Sequence, residues 1–276
     1  MVSLKLKGNL WPMSFRALKI FLIILFSLSV AKPNSAFAVN STVLITGSNR
    51  GIGLEFVRQY AAIGWRVIAT TRAPVEALNL QVLTETYPNI IVERLDVTSS
   101  AHLAALANKY QGQAIDVLIN NAGVSGDFYG SGQRFGTLNY GEVDTIMNVN
   151  AVGPLRVTEA FYENVKKSQQ KKVLAITALL GVHSFGYGNF SGAYWYKISK
   201  AAMNAGLFNL SRDSIKDGVI VALLTPGEVA VEKVVNPGPN FISPKVSIAG
   251  MIKVIEQLVI EDSGAIIRYN GKRYDF

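Results

Sequence analysis

Tyr196 and Lys200 are the two residues whose types and spacing most strongly suggest chemistry. Residues four positions apart lie on the same face of a helix, so the lysine cation would stand beside the phenol. A free tyrosine has a pKa of about 10, and a nearby cation favours the phenolate and lowers that pKa. The pair therefore predicts a phenol that exchanges a proton with a bound molecule. Tyr194 is a competing phenol, but it lies off the helix face that carries Lys200.

A glycine-rich turn joins a strand pattern over 42–46 to a helix pattern over 51–63. Gly47 permits a tight turn, Gly51 lets the backbone approach a diphosphate, and Gly53 lets the helix pack close to the sheet. The start of the helix then offers free N–H groups and a partial positive charge to the phosphates. Glycines in this strand–turn–helix context predict a dinucleotide site, which comprises Gly47, Ser48, Asn49, Arg50, Gly51, Ile52 and Gly53.

The end of the second strand pattern distinguishes NADP(H) from NAD(H). An acidic residue there accepts hydrogen bonds from the ribose 2′-hydroxyl and repels a 2′-phosphate. This chain has Thr70, Thr71 and Arg72 instead. Because Arg72 and Arg50 can flank a phosphate with fork-shaped donors, the residues favour NADP(H) over NAD(H).

An alternation of short β-branched runs and helical patterns must position these residues. The strand patterns span 42–46, 66–70, 90–94, 117–120, 173–177, 219–224 and 265–268. The helical patterns span 51–63, 75–87, 99–110, 142–167, 196–216 and 247–261. Apolar strands that alternate with helices imply right-handed crossovers. We therefore expect one α/β domain over 39–276, a Rossmann fold with a doubly wound parallel sheet and helices on both faces.

Several motifs resemble those of the short-chain dehydrogenase/reductase family, in the same order and with similar spacing. They are Thr46–Gly53 (TGxxxGxG), Asp96-Val97, Asn120-Asn121-Ala122-Gly123 (NNAG), Tyr196 with Lys200 (YxxxK), and Pro226-Gly227. The stretches 199–204 and 269–272 look most like the small carbonyl-reductase branch that includes C-factor and sniffer. The resemblance covers nearly all of 41–276. It implies an NADP(H)-dependent oxidoreductase that moves hydride between the nicotinamide and a small carbonyl or alcohol substrate.

The same resemblance implies roles for individual residues. Tyr196 would be the general acid/base, Lys200 would tune it and hold the nicotinamide ribose, and Asn150 would support a proton-relay water. Asn148 is a nearby competitor for the role of Asn150. The implied coenzyme contacts extend beyond the glycine turn to Arg72, Asp96, Val97, Asn121, Ala122, Gly123, Tyr196, Lys200, Pro226 and Gly227.

One expected residue is missing. The family's catalytic serine, which orients the substrate carbonyl, corresponds to Ala178 in this chain, and alternation along a strand points Thr177 to the other face. Loss of such a donor costs about 2.7–4 kcal/mol, or roughly 10²–10³ in rate. The site is therefore expected to be impaired, unless Ser184 or His183 in the loop 181–193 supplies a donor. The alternative is a low-turnover nucleotide-binding or C-factor-like signalling protein of the same fold.

A second departure follows Pro226-Gly227. The family often has a threonine here that binds the nicotinamide carboxamide, whereas this chain continues with Glu228 and Val229. The segment 229–245 is expected to cover a partly apolar pocket.

Residues 1–38 form a targeting segment by composition. The apolar run 18–31 follows basic residues, and Ala36-Phe37-Ala38 has the small-x-small form of a cleavage site. A cleaved signal peptide predicts export, periplasmic or secreted, whereas an uncleaved segment predicts a membrane anchor. A cytoplasmic location stays open.

Composition limits the remaining function classes. Five of the 27 basic residues lie in 1–38, which holds no acid, so the rest carries 22 basic and 19 acidic residues and predicts no nucleic-acid partner. The sequence has no cysteine and two histidines, and this composition predicts no metal site. The resemblance implies a homodimer or homotetramer through the helices 142–167 and 196–216.

Overall fold

The computed structural model describes residues 41–128, 130–183, 191–230 and 238–275. Its strands are β1 (Thr42–Ile45), β2 (Arg66–Thr71), β3 (Ile90–Arg94), β4 (Val117–Asn120), β5 (Lys172–Ile176), β6 (Ile220–Thr225), β7 (Ile266–Arg268) and β8 (Arg273–Tyr274). Its helices are α1 (Gly51–Ala62), α2 (Leu78–Thr86), α3 (Ser100–Lys109), α4 (Val143–Met147), α5 (Gly153–Lys166), α6 (Tyr194–Ser214) and α7 (Pro244–Gln257).

The strands form one sheet in the order β3-β2-β1-β4-β5-β6-β7-β8. All neighbours pair in parallel except β7 and β8, which are antiparallel. The chain moves outward from β1 to β3 and then crosses back to β4, so the strand order reverses between β1 and β4. In such sheets the ligand crevice lies beyond the carboxyl ends of the strands at this reversal. The expected Rossmann fold with a doubly wound sheet is confirmed.

Side-chain alternation explains why both faces of the sheet are covered. Leu44, Leu118 and Val173 are fully buried in a cluster with side chains of α3, α5 and α6. Their neighbours Val43 and Leu174 are equally buried and point to the other face. On that other face α1 packs against β1, β2 and α7.

Differences from the predicted elements have local causes. The helix predicted over 142–167 is interrupted by a π-helical segment, Asn148–Val152, which divides α4 from α5. The helix predicted over 75–87 starts later than expected. A short 3₁₀ turn occupies Pro74–Glu76, and α2 begins at Leu78. Helix α7 starts earlier than predicted, because Ser243 caps it with its side chain and Pro244 occupies the first turn.

The antiparallel strand β8 was not predicted. It is two residues long and follows a turn at Gly271, where φ is +85°. No helix within the described residues has the length and apolar character needed to span a bilayer. The apolar run 18–31 and the whole of 1–38 lie outside those residues.

Candidate active site

A cavity of about 730 Å³ opens at the carboxyl ends of the central strands. Tyr196, Lys200 and Ala178 line it together with Ile52 of the glycine turn and Gly227 after β6. The fold thus brings the predicted proton-transfer pair, the start of α1 and the Pro226-Gly227 turn to one place, although they are far apart in sequence.

Helix α6 places Tyr196 and Lys200 in the wall of the cavity. Lys200 is buried, its Nζ donates a hydrogen bond of 2.7 Å to the carbonyl of Ile176, and it lies 5.9 Å from the centre of the Tyr196 ring. Burial lowers the pKa of Lys200 to about 8 and raises the pKa of Tyr196 to about 12. Desolvation of the buried hydroxyl thus shifts the pKa of Tyr196 opposite to the direction that the Lys200 cation favours.

Gln133 holds Tyr196 in position, and the sequence did not single it out. The fully buried side chain of Gln133 accepts a hydrogen bond of 3.1 Å from the backbone N–H of Tyr196 through Oε1. Its Nε2 donates at 2.6 Å to the carbonyl of Ser125 in the loop after β4. Phe128 from the same loop meets the Tyr196 ring edge-on, with centroids 5.2 Å apart. A lone amide in an irregular loop has no periodicity that would mark it in advance.

The π-helical segment turns Asn150 toward the site. Asn150 is fully buried, its Oδ1 accepts from the N–H of Val124 at 2.8 Å, and its Nδ2 donates to the carbonyl of Val124 at 2.7 Å and to Ser199 Oγ at 3.0 Å. Asn148 instead donates to the backbone carbonyl of Asp144 in the preceding helix α4. A Cβ on Gly123 would lie 3.3 Å from Asn150 Oδ1 and 3.9 Å from Lys200 Nζ, so Gly123 leaves room for both. The structure therefore brings Asn150, and not Asn148, next to Lys200.

Ala178 lies in the cavity wall at the end of β5 and carries no donor. The hydroxyl of Thr177 donates at 2.6 Å to Asn204 Oδ1, and Asn204 Nδ2 donates at 3.0 Å to the carbonyl of Gly181. The Thr177 hydroxyl is thus engaged with α6, although the residue also contributes to the lining of the cavity. His183 is exposed, and Ser184 lies outside the described residues.

The glycine turn is tied to the NNAG segment by hydrogen bonds. Thr46 Oγ1 accepts from the N–H groups of Asn121 and Ala122, both at 3.0 Å. Asn121 Nδ2 donates to the carbonyls of Thr46 at 2.8 Å and Gly47 at 3.0 Å. Gly47 has a φ of +67°, and a Cβ on Gly53 would collide with the Gly47 carbonyl oxygen. Substitution of either glycine would therefore displace backbone.

The remaining residues of the turn divide between packing and solvent. Ser48 is buried, and its hydroxyl donates at 2.9 Å to the carbonyl of Ile45. Asn49 and Arg50 are exposed, and within the described chain no side chain caps the start of α1. An uncapped helix start with close glycine backbone fits the diphosphate of a dinucleotide.

The ends of β2 and β3 carry Arg72, Asp96 and Val97. Arg72 is exposed. Burial tends to raise the pKa of Asp96, but hydrogen bonds from the side chain and backbone of Thr98 and the charge of Arg72 hold it below the usual value. Val97 is buried against Gly153. An ionised Asp96 beside Arg72 provides both an acceptor and a cation at this end of the crevice.

The turn after β6 has a left-handed backbone conformation that glycine adopts without strain. Gly227 has a φ of +80°, and Ser247 Oγ donates at 2.7 Å to the carbonyl of Pro226. Glu228 follows with an exposed side chain in the cavity lining, and Val229 pairs with Ile242 through a short parallel bridge. Arg268 at the end of β7 also lines the cavity, and the sequence did not point to it. Among the described residues, no cluster of acidic and histidine side chains could hold a metal ion.

Comparison with known proteins identifies a family with this arrangement. The profile of the short chain dehydrogenase family matches residues 41–238. A Rhodococcus protein, 1-hydroxy-2-glutathionyl-2-methyl-3-butene dehydrogenase, is 34% identical over 235 residues, which cover 84% of this chain and 97% of that protein. The C-signal protein of Myxococcus xanthus is 36% identical over 158 residues, or 57% of this chain and 90% of that protein.

Solved structures show the same fold. An NADPH-bound carbonyl reductase from chicken fatty liver has 28% identity and a TM-score of 0.78, covering 85% of this chain and 98% of that one. The carbonyl reductase Sniffer of Drosophila melanogaster shares the fold, with 23% identity, a TM-score of 0.76, and coverage of 86% and 99%. The resemblance found in the motifs is therefore confirmed.

Proposed function

Because the chain belongs to the short-chain dehydrogenase/reductase family, we propose that it is an NADP(H)-dependent oxidoreductase acting on a carbonyl or alcohol substrate. The observation that carries the proposal is the shared cavity of Tyr196, Lys200 and the start of α1. The chicken carbonyl reductase, which binds NADPH, supports the choice of coenzyme class.

The chain's own residues would handle the proton. When bound, the reduced nicotinamide supplies hydride to the carbonyl carbon. Tyr196, whose pKa of about 12 keeps it protonated, donates its hydroxyl proton to the carbonyl oxygen as that oxygen gains charge. The ammonium of Lys200 then stabilises the resulting phenolate and holds the nicotinamide ribose. Asn150 acts indirectly by fixing the loop that carries Gly123 and Val124 beside Lys200.

Selection of NADP(H) over NAD(H) would rest on Arg72 and Arg50. Both are exposed near the start of the crevice, and the end of β2 presents no carboxylate. Their guanidinium groups can pair with a 2′-phosphate, which NAD(H) lacks. An Arg72→Gln variant should bind NADPH at least tenfold more weakly and NADH unchanged. Equal losses for both coenzymes would assign Arg72 to another contact.

The central test is a titration of the protein lacking residues 1–38 with NADPH and with NADH, followed by a carbonyl screen. We expect NADPH to bind more tightly than NADH and to be consumed in the presence of a carbonyl compound. Absence of binding to either coenzyme would overturn the proposal.

A low-turnover NADP(H)-binding or signalling protein is the second candidate. Ala178 in place of a donor favours it, and so does the similarity to C-signal. Tight NADPH binding without consumption across a broad carbonyl panel would support this candidate over the first.

We further propose that 1–38 act as a signal peptide, leaving 39–276 as the mature domain in the periplasm or outside the cell, or as a membrane anchor if uncleaved. Sequencing the mature N-terminus separates these outcomes. A homodimer or homotetramer through 142–167 and α6 is also proposed, because Tyr194 and Ile198 of α6 expose apolar surface. Light scattering of the purified protein checks the assembly.

A further inference from the structure

Arg268 is a charged residue of the cavity that the proposed reaction does not use. It ends β7, pairs with Thr225 of β6 in the sheet, and lines the same cavity as Tyr196. Its Nε is buried and has no hydrogen-bond partner within the described chain. A buried donor without an acceptor is costly. Since Nε itself is shielded from solvent, a ligand in the cavity would meet the terminal Nη groups of the same guanidinium, which also form no hydrogen bond within the described chain.

The surroundings hold the guanidinium without neutralising it. The guanidinium carbon of Arg268 lies 5.5 Å from the centre of the Tyr269 ring, and its Nη2 would lie 3.5 Å from a Cβ on Gly227. Glu228 lines the same cavity, but its side chain is exposed, and no described carboxylate forms an ion pair with Arg268. Because the proposed reaction already assigns Lys200 to the Tyr196 phenolate and the nicotinamide ribose, Arg268 is the described lining cation left for the substrate.

The rest of the wall limits what the occupant can be. Large apolar side chains line it, namely Phe128, Leu179, Leu180, Val229 and Phe241. Among the described lining residues, the charged ones are two cations, Lys200 and Arg268, and one acid, Glu228. An occupant that matches this wall has an apolar body and an anionic end.

We propose that Arg268 binds an anionic oxygen group of the substrate, so that the substrate class is a carbonyl compound with an apolar body and a carboxylate. The inference rests on the proposed function, because it assigns the carbonyl end to Tyr196. Arginine presents a fork of donors that matches a carboxylate.

The coenzyme diphosphate could also supply anionic oxygens to Arg268. The distance between β1 and β7 in the sheet makes this alternative less favourable. The glycine turn follows β1, whereas Arg268 ends β7, four strand positions away. At roughly 4.8 Å per strand, that places the two ends about 19 Å apart. The experiment separates the two sources.

The test compares 5-oxo-5-phenylpentanoate with its methyl ester, which differ in the charge at one end. For each protein, kcat/KM is measured for both, and the Kd of NADPH is measured by fluorescence. Arg268→Gln removes the charge, and Arg268→Lys is the matched control that keeps it. We expect Arg268→Gln to lower the carboxylate-to-ester ratio of kcat/KM by about 10- to 150-fold, the effect of losing a hydrogen bond to a charged group. Arg268→Lys should lower the ratio less.

Glu228→Gln supplies a control of opposite sign. Removing the negative charge from the same cavity should raise the carboxylate-to-ester ratio, by about two- to fivefold for an exposed group. An unchanged ratio in Arg268→Gln would overturn the proposal. A weaker NADPH affinity with an unchanged ratio would assign Arg268 to the coenzyme.

A binding measurement keeps this inference separate from the proposed function. Calorimetry with 5-phenylpentanoate, which has no carbonyl to reduce, should show binding to the wild-type protein and a loss of about tenfold or more in Arg268→Gln. If the protein reduces no carbonyl yet shows this loss, the proposed function fails and the anion site stands. If 5-phenylpentanoate does not bind, or binds both proteins equally, the anion site fails.

Discussion

The two ends of the cavity are built by different means. At the coenzyme end, backbone and buried side chains set the geometry, with Thr46 and Asn121 tying the glycine turn to the segment after β4. At the other end the wall includes Ala178, which follows β5 and was identified from the sequence, and Arg268, which ends β7 and was not. The comparison teaches that nucleotide binding is encoded in a short, recognisable segment. The residues at the other end are brought together only by the tertiary structure.

Removing the Tyr196 hydroxyl should give the largest effect on the reaction rate and leave coenzyme binding unchanged, which separates the two ends of the cavity. Tyr196→Phe takes away the proton donor, so kcat should fall by about 10²–10⁴ while the Kd of NADPH stays within twofold. Single-turnover kinetics and fluorescence titration measure the two quantities. Tyr194→Phe is the matched control, since Tyr194 is exposed and lies six positions before Lys200, off the helix face that carries it. An equal loss in both variants would contradict the assignment.

Restoring the missing donor should sharpen the contrast at the substrate end. Ala178→Ser places a hydroxyl in the cavity wall, and kcat/KM for a carbonyl substrate should rise by up to about 10². Leu179→Ser, which adds a hydroxyl one residue away, should give no such gain. If Ala178→Ser is no faster than the wild type, the missing donor does not limit the rate.

Filling the glycine turn should damage the coenzyme end alone. A methyl group at Gly53 meets the Gly47 carbonyl and the Asn121 amide, so Gly53→Ala should lower the free energy of unfolding by about 2 kcal/mol and weaken NADPH binding. Denaturant titrations and coenzyme titrations report the two losses. Gly238→Ala is the control, because a Cβ there meets nothing within 4 Å. A stable variant with normal NADPH affinity would show that the turn relaxes.

The smallest expected effect concerns the charge of Lys200, which lies between the two ends. Burial lowers its pKa from 10.5 to about 8, so between these values the unfolded chain binds more protons than the folded one. Stability therefore gains a contribution as pH rises through this window, of at most about 1.4 kcal/mol per pH unit. Urea titrations at pH 8.5 and 9.5 should show that the free energy of unfolding rises less with pH in Lys200→Met than in the wild type. Lys216→Met, at an exposed lysine, should leave the rise unchanged.

Much of the fold was predictable because the signals are local. The strands over 90–94 and 117–120 were predicted at their observed bounds, since continuous apolar runs suit a sheet covered on both faces. The π-helical segment around Asn150 was not predictable, because it keeps helical periodicity and differs only in its backbone hydrogen bonds.

The site divides in the same way. Motifs that combine glycine, tyrosine and lysine at fixed spacing identified the coenzyme turn and the Tyr196–Lys200 pair. Arg268 and Gln133 reach the site only through tertiary structure, from a sheet edge and an irregular loop, so no spacing connects them to it. The pKa of Tyr196 also depended on burial, which the spacing of two residues does not report.

The amide of Gln133 has a consequence for attempts to change specificity by loop exchange. One side chain joins the loop after β4, through Ser125, to the first turn of α6, through Tyr196. A loop transplanted from a relative without an equivalent amide would leave the phenol unsupported, even if every residue facing the cavity were copied. Engineers who graft this loop should therefore carry Gln133 with it.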